Sequence, residues 1–231
     1  MIEPQNISDY LIRSRFTFYE LNDGDILTSL SNKSYLINVY SYDKHLPDYM
    51  SFIPTRNFQR KAINCLQLEM PDLNACGSQL IVFKSEKGQV LRPLHGISLL
   101  EFIAGDKELG TLNNLLNFCD HKCKSMLVNL TERSQWPRVK SGFTLFLPTN
   151  KYFSKSLQNF SKYSKDMSLF AKSLQENIFH GAYCFFYLKG NVIVENLLGK
   201  KINSSKLIAK IIDPHAYISQ RSFIVHKTDS F

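Results

Sequence analysis

Between positions 166 and 179 the apolar side chains Met167, Phe170, Ala171, Leu174 and Ile178 recur at i, i+3, i+4, i+7 and i+11. That spacing lays one apolar stripe along a helix, which a core covers, or failing that the groove of a partner. Residues 164–166 supply the N-cap region. Beyond the stripe the character of the chain changes: YCFFYL (183–188), VIV (192–194) and SFIV (222–225) are short apolar runs of strand type. Ahead of it, Leu112, Leu115 and Leu116 fall at helical spacing, a second helical stretch covers 124–131, and FTLFL (143–147) reads as a strand stopped by Pro148. Helices come first and strands after, without βαβ alternation, so the expected class is α+β.

The first hundred residues read mostly as strands and turns. FTFY (16–19), DILTSL (25–30), YLINVY (35–40), AINC (62–65) and QLIVF (79–83) are rich in β-branched and aromatic residues, and NDG (22–24) is a turn signal. These segments give a first region over 1–92, a connector over 93–106 and a second region over 107–231.

The 231 residues carry a formal charge of +8. The lysines and arginines are spread along the chain with no nucleic-acid motif beside them, which describes a solvated surface and makes nucleic acid an unpromising partner. A polyanionic glycan or an anionic lipid surface remains compatible with the charge. No run of eighteen apolar residues is present, so no membrane-spanning helix is expected. The opening MIEPQN has neither a basic start nor a following apolar stretch, and a signal peptide is not expected within this sequence.

There are five cysteines, an odd number. Five N-x-[ST] sequons, at Asn6, Asn32, Asn129, Asn159 and Asn203, lean towards a secreted history. Cys119, His121 and Cys123 lie within five residues of one another. They are compatible with a local bridge, with free thiols or, least well, with a zinc site lacking further ligands. No GxSxG elbow, cysteine-protease signature or glycine-rich phosphate loop occurs. No catalytic residues, metal or cofactor are therefore expected.

Three ordered landmarks resemble the fasciclin (FAS1) domain family over 107–231. FTLFLPTNKYF (143–153) reads like the family's FT-x-F-x-PT-[ND]-x-x-F stretch. Phe179-His180 ahead of Gly181 matches an aromatic-His pair that ends a helix. FIVHKTD (223–229) matches the terminal strand, with Arg221-Ser222 where the family has Asn-Gly. The resemblance implies a FAS1-like wedge of β-strands with packed helices. In it Phe143, Thr144, Pro148, Thr149, Asn150, Phe153 and His226 are structural, and Thr149 or Asn150 caps the helix that carries Phe153 inward. Residues 1–92, through LNDG (21–24), YLINVY (35–40), MPDL (70–73) and LIVF (80–83), resemble only the later part of such a domain, truncated or degenerate.

The same resemblance implies a non-enzymatic adhesion or protein-binding module at the cell surface or in the extracellular matrix. Its partner would be an integrin-like receptor or matrix protein. Phe179 and His180, together with Asp72 and Leu73, are the implied partner-binding residues, although an Asp that caps a turn after Pro71 explains Asp72 equally well. A disulfide between Cys65 and Cys76, closing the loop between them, is also implied. The alternative is a scaffold subunit of an intracellular or organellar complex, with neighbouring subunits as partners.

Overall fold

The computed structural model describes residues 7–9, 11–12, 20–41, 59–75, 78–84, 94–119, 121–133, 142–155, 157–219 and 223–231. The chain divides into two units, Met1–Leu94 and His95–Phe231. Strands and helices coexist and the class is α+β.

The first unit is a five-stranded antiparallel meander in chain order: β1 (Ile26–Thr28), β2 (Ser34–Ser41), β3 (Gln59–Ile63), β4 (Leu66–Ala75) and β5 (Ser78–Lys84). Alternation along β2 turns Tyr35 and Ile37 onto one face, where they meet Leu21, Leu27, Ile63 and Leu68. Asn64 and Cys65 form the two-residue link between β3 and β4, with φ of 44° and 65°. Positive φ at both positions matches the twist of the flanking strands, and Asn64 adds a bond from the Leu36 amide to its Oδ1. Register shifts in β4 lie between Leu68 and Met70 and between Met70 and Leu73. Pro71, which has no N–H to give the ladder, falls in the second of them.

The second unit opens with α1 (Leu99–Gly105), α2 (Gly110–Phe118) and α3 (His121–Arg133). Next come β6 (Phe143–Pro148), α4 (Asn150–Ser154), α5 (Leu157–Lys165), α6 (Met167–Glu176) and β7 (Ile178–His180). The chain ends with α7 (Phe185–Leu188), a hairpin of β8 (Ile193–Glu195) and β9 (Lys201–Asn203), α8 (Ser205–Ile208), β10 (Ile211–Ile218) and β11 (Phe223–Thr228). Four strands form one sheet in the order β10-β11-β6-β7, with β11 and β6 parallel and the other neighbours antiparallel.

Both faces of β6 are covered. Leu145 and Leu147 join the helical core with Leu112, Leu116, Phe170 and Leu174, while Phe146 packs on the other side with Phe179, Leu188, Val194 and Leu207. A strand buried on both faces reads as an unbroken apolar run, which is why FTLFL shows no alternation.

Three segments differ from the sequence reading. The 166–179 stripe is helical only through Glu176. Asn177 closes α6, and Ile178 keeps its core position from strand β7, so Phe179-His180 lies in a strand and does not end a helix. Residues 183–188 are not a strand. Past Cys184 they make the single turn α7, where the Leu188 amide reaches the Cys184 carbonyl at 3.1 Å. The 93–106 connector contains α1, held by a capping box between Ser98 and Glu101, with Leu99, Phe102 and Ile103 buried. FTFY (16–19) lies outside the described residues.

Candidate partner-binding surface

Strand alternation separates the two residues of the aromatic-His pair. Phe179 points inward and is fully buried, meeting Phe146 edge-to-face at 5.3 Å. A side chain so placed cannot touch a partner, so Phe179 is a core residue and not a contact. His180 faces solvent and stands opposite Phe143 in the β6–β7 ladder, with ring centroids 5.5 Å apart.

Beside this pair opens a groove of about 570 Å³. One face of α3 lines it through Ser125, Met126, Asn129 and Leu130. Gln175 comes from the last turn of α6, and Leu197 and Leu198 from the β8–β9 turn. Among the described residues the lining is apolar and uncharged polar, with His180 the one ionisable side chain. Leu198 is 46% exposed, an apolar group at the rim.

Buried Asn196 fixes the β8–β9 turn. Its Nδ2 donates to the Glu176 carbonyl at 3.1 Å, and its Oδ1 accepts the Leu198 and Lys200 amides at 3.1 and 2.9 Å. The Leu197 amide then reaches the Ile178 carbonyl at 2.9 Å, pinning the turn to β7. On the opposite wall, a Cys119–Cys123 disulfide with Cα atoms 5.8 Å apart joins the end of α2 to α3. Of the three readings of those cysteines, the local bridge is the one realised.

A hydrogen-bond network lies behind the wall. Thr144 Oγ1 donates to the Gly181 carbonyl and accepts the Tyr183 amide, both at 2.7 Å. His226 is fully buried, accepts the His215 amide on Nδ1 at 3.1 Å, and pairs through Nε2 with the Tyr183 carbonyl at 3.0 Å. These partners define a neutral imidazole protonated on Nε2. Burial pulls its pKa down to about 4, although the bond to Tyr183 acts the other way. His215 accepts the Phe185 amide on Nε2 at 2.8 Å, anchoring α7.

Pro148 is the last residue of β6 and pairs with Thr228. Thr149 occupies the N-cap position of α4 without a side-chain capping bond. Asn150 does not cap its own helix either. Its Oδ1 takes the Thr111 amide and its Nδ2 donates to the Lys107 carbonyl, both at 2.8 Å, so it serves the start of α2. Phe153 is buried in an aromatic cluster with Tyr152, Tyr163 and Phe231.

Asp72 and Leu73 lie on β4 in the first unit, Leu73 paired with Leu80 and Asp72 inside the register shift. They belong to a strand, where the sequence suggested a turn. Cys76 lies outside the described residues. Its bridge to Cys65 therefore falls outside them too, and residues 66–75 between the two cysteines are strand β4.

Among the sequons, Asn6 lies outside the described residues and Asn32 is exposed in the β1–β2 turn. Asn129 is exposed on α3, and Asn159 falls within α5. Asn203 is half-buried on β9 with its Oδ1 accepting the Ser205 amide.

One ionic cluster carried no sequence signal. Lys227, nearly buried on β11, sits 2.6 Å from Asp106, 2.8 Å from Glu108 and 3.8 Å from Asp213. Burial works against its charge, but hydrogen bonds to Asp106 and Glu108 prevail and hold its pKa above the usual lysine value. The contributing acids are 119 to 121 residues upstream and 14 upstream, so only the fold assembles them.

No family model and no curated protein matches the chain. It is similar in fold to a solved FAS1 domain pair from the insect cell adhesion molecule fasciclin I. The identity is 14% and the TM-score 0.41, over 95% of this chain and 76% of that one. Among the described residues, no helix is long and apolar enough to cross a membrane.

Proposed function

We propose that the chain is a non-enzymatic protein-binding module of the fasciclin type, acting in adhesion at the cell surface or in the extracellular matrix. The observation that carries this reading is the groove beside His180. There Phe143, Met126, Leu130, Leu197 and Leu198 offer apolar surface, and none of the described lining residues is an acid, lysine or arginine, the composition expected where a protein partner docks. His226 is buried with both nitrogens engaged, out of reach of any substrate. The local disulfide fits an oxidising compartment.

The test is attachment of cells to surfaces coated with the full chain, compared with His180→Ala and Leu198→Asp variants. Attachment that falls in both variants, with unfolding transitions unchanged, supports docking in the groove. Attachment no higher than to an inert protein coat overturns the adhesion reading. Equal attachment to all three proteins moves the docking surface elsewhere.

A further inference from the structure

We infer that the segment running from α7 through the β8–β9 hairpin to α8 is a docking surface for a sulfated glycan chain. From 185 to 210 the basic residues are Lys189, Lys200, Lys201, Lys206 and Lys210, and Glu195 is the only acid. Four of these lysines are exposed and Lys210 is half-exposed. Lys200, Lys201 and Lys206 make no ion pair with a described residue.

The lysines ride on elements that are tied together. Buried Ser204, between β9 and α8, donates through Oγ to the Leu188 carbonyl at 2.5 Å and through its amide to the Val192 carbonyl at 2.8 Å. Leu188, Val194 and Leu207 share one core cluster beneath them. The positive charge is therefore fixed in the native fold by α7, the hairpin and α8 together, and is not a disordered tail.

The partner class is set by the surroundings of the lysines. Base stacking by nucleic acid needs exposed aromatic rings. Here Phe185, Phe186 and Tyr187 are half-buried, and Tyr187 is stacked on Tyr183 at 5.6 Å. A bilayer surface needs a contiguous apolar face to insert. The segment exposes Ile193 singly and Leu198 at the groove rim. A flexible chain with sulfates at intervals needs only cations spaced over several elements, and that is what the segment presents.

The experiment measures binding of the full chain to immobilised heparin across a salt series. It compares the wild type with Lys200→Ala/Lys201→Ala/Lys206→Ala and with a control of equal charge, Lys162→Ala/Lys165→Ala/Lys172→Ala, on α5 and α6. The first triple is expected to bind roughly tenfold more weakly or worse, the scale of three exposed ion pairs, and the control within about threefold of wild type. Wild-type affinity should fall steeply with salt. Equal losses in both triples would reduce the effect to net charge and overturn the proposal. So would no binding of wild type to heparin, or tighter capture by phosphatidylserine-containing vesicles than by heparin. His180→Ala should leave heparin binding unchanged, which separates this surface from the groove.

Discussion

Asn150 belongs to the first turn of α4, yet its side chain accepts the amide of Thr111 at 2.8 Å and so caps α2. The α2 N-cap position is held by Leu109, which offers no side-chain acceptor. A residue 39 positions downstream supplies what the local sequence lacks. The same amide group donates to the Lys107 carbonyl, fastening the 3-10 turn ahead of α2 to the end of β6. Asn150→Ala removes both bonds and should cost about 1–2 kcal/mol in urea unfolding. Asn150→Asp keeps the acceptor and loses the donor, so it should fall between alanine and wild type.

His226 makes stability depend on pH in a window set by its own shift. Its folded pKa is depressed to about 4 from 6.5, so between those values the unfolded chain binds more protons than the native one. Stability is fully present above about pH 6.5 and declines as pH falls towards 4, by an amount on the order of 3 kcal/mol. The carboxylates with depressed pKa values, Asp9, Glu101 and Asp229, begin to act only lower, as pH falls through their ordinary range. Urea midpoints at pH 7 and pH 5 should differ for the wild type and much less for His226→Gln. Protonation would place a second N–H on Nδ1, facing the His215 amide that now donates to it.

The parts legible in the sequence were those with local causes. The stripe Met167, Phe170 and Leu174 gave α6, and the apolar run of FTLFL gave β6, because a period or an unbroken run is visible without knowing the neighbours. Strand β4 was hidden by its entry turn, where Cys65 takes a left-handed conformation that the sequence signals only for Gly or Asn. Helix α7 was hidden because FFYL has strand composition, and a bond from Phe185 to His215 decides its backbone. Of the groove, His180 carried a sequence signal for binding, Phe143 one for structure and Asn129 one for glycosylation. Met126, Leu130 and Leu198 come from distant segments and meet through the Asn196 bonds and the fold, which no spacing encodes.

Gly181 requires glycine on two counts, its backbone and its surroundings. Its φ is +99°, and a Cβ there would lie 2.5 Å from the Tyr183 ring. Gly181→Ala should destabilise by about 1–3 kcal/mol. Tyr183→Ala in the same chain would relieve the clash and leave the backbone strain. The double variant should therefore cost less than the sum of the single ones, and an additive cycle would show that the ring moves aside freely.

Lys227 answers three carboxylates at once, so removing it should cost more than removing any one of them. Lys227→Met leaves Asp106, Glu108 and Asp213 facing one another, and about 3 kcal/mol of lost stability is expected. Glu108→Gln alters only the most exposed partner and should cost under about 1 kcal/mol. The lysine's raised pKa means that its contribution is fully present below about pH 10 and is lost only in stronger alkali. Neutral-pH thermal unfolding therefore measures its full effect.

The groove and the Asn129 sequon make competing demands on one surface. Asn129 is exposed and lines the groove beside Met126 and Leu130, so a glycan on it would fill the space that the proposed partner requires. Asn32, in a surface turn with φ of 61°, carries no such conflict. Protein from secretory cells should therefore bear a glycan at Asn32 and a bare Asn129, read by peptide mass after enzymatic deglycosylation in heavy-oxygen water. Asn129→Arg should weaken cell attachment about tenfold while shifting stability by no more than about 0.5 kcal/mol, as an exposed helical position allows. A fully occupied Asn129 on protein that still supports attachment would remove the groove from consideration as the docking site.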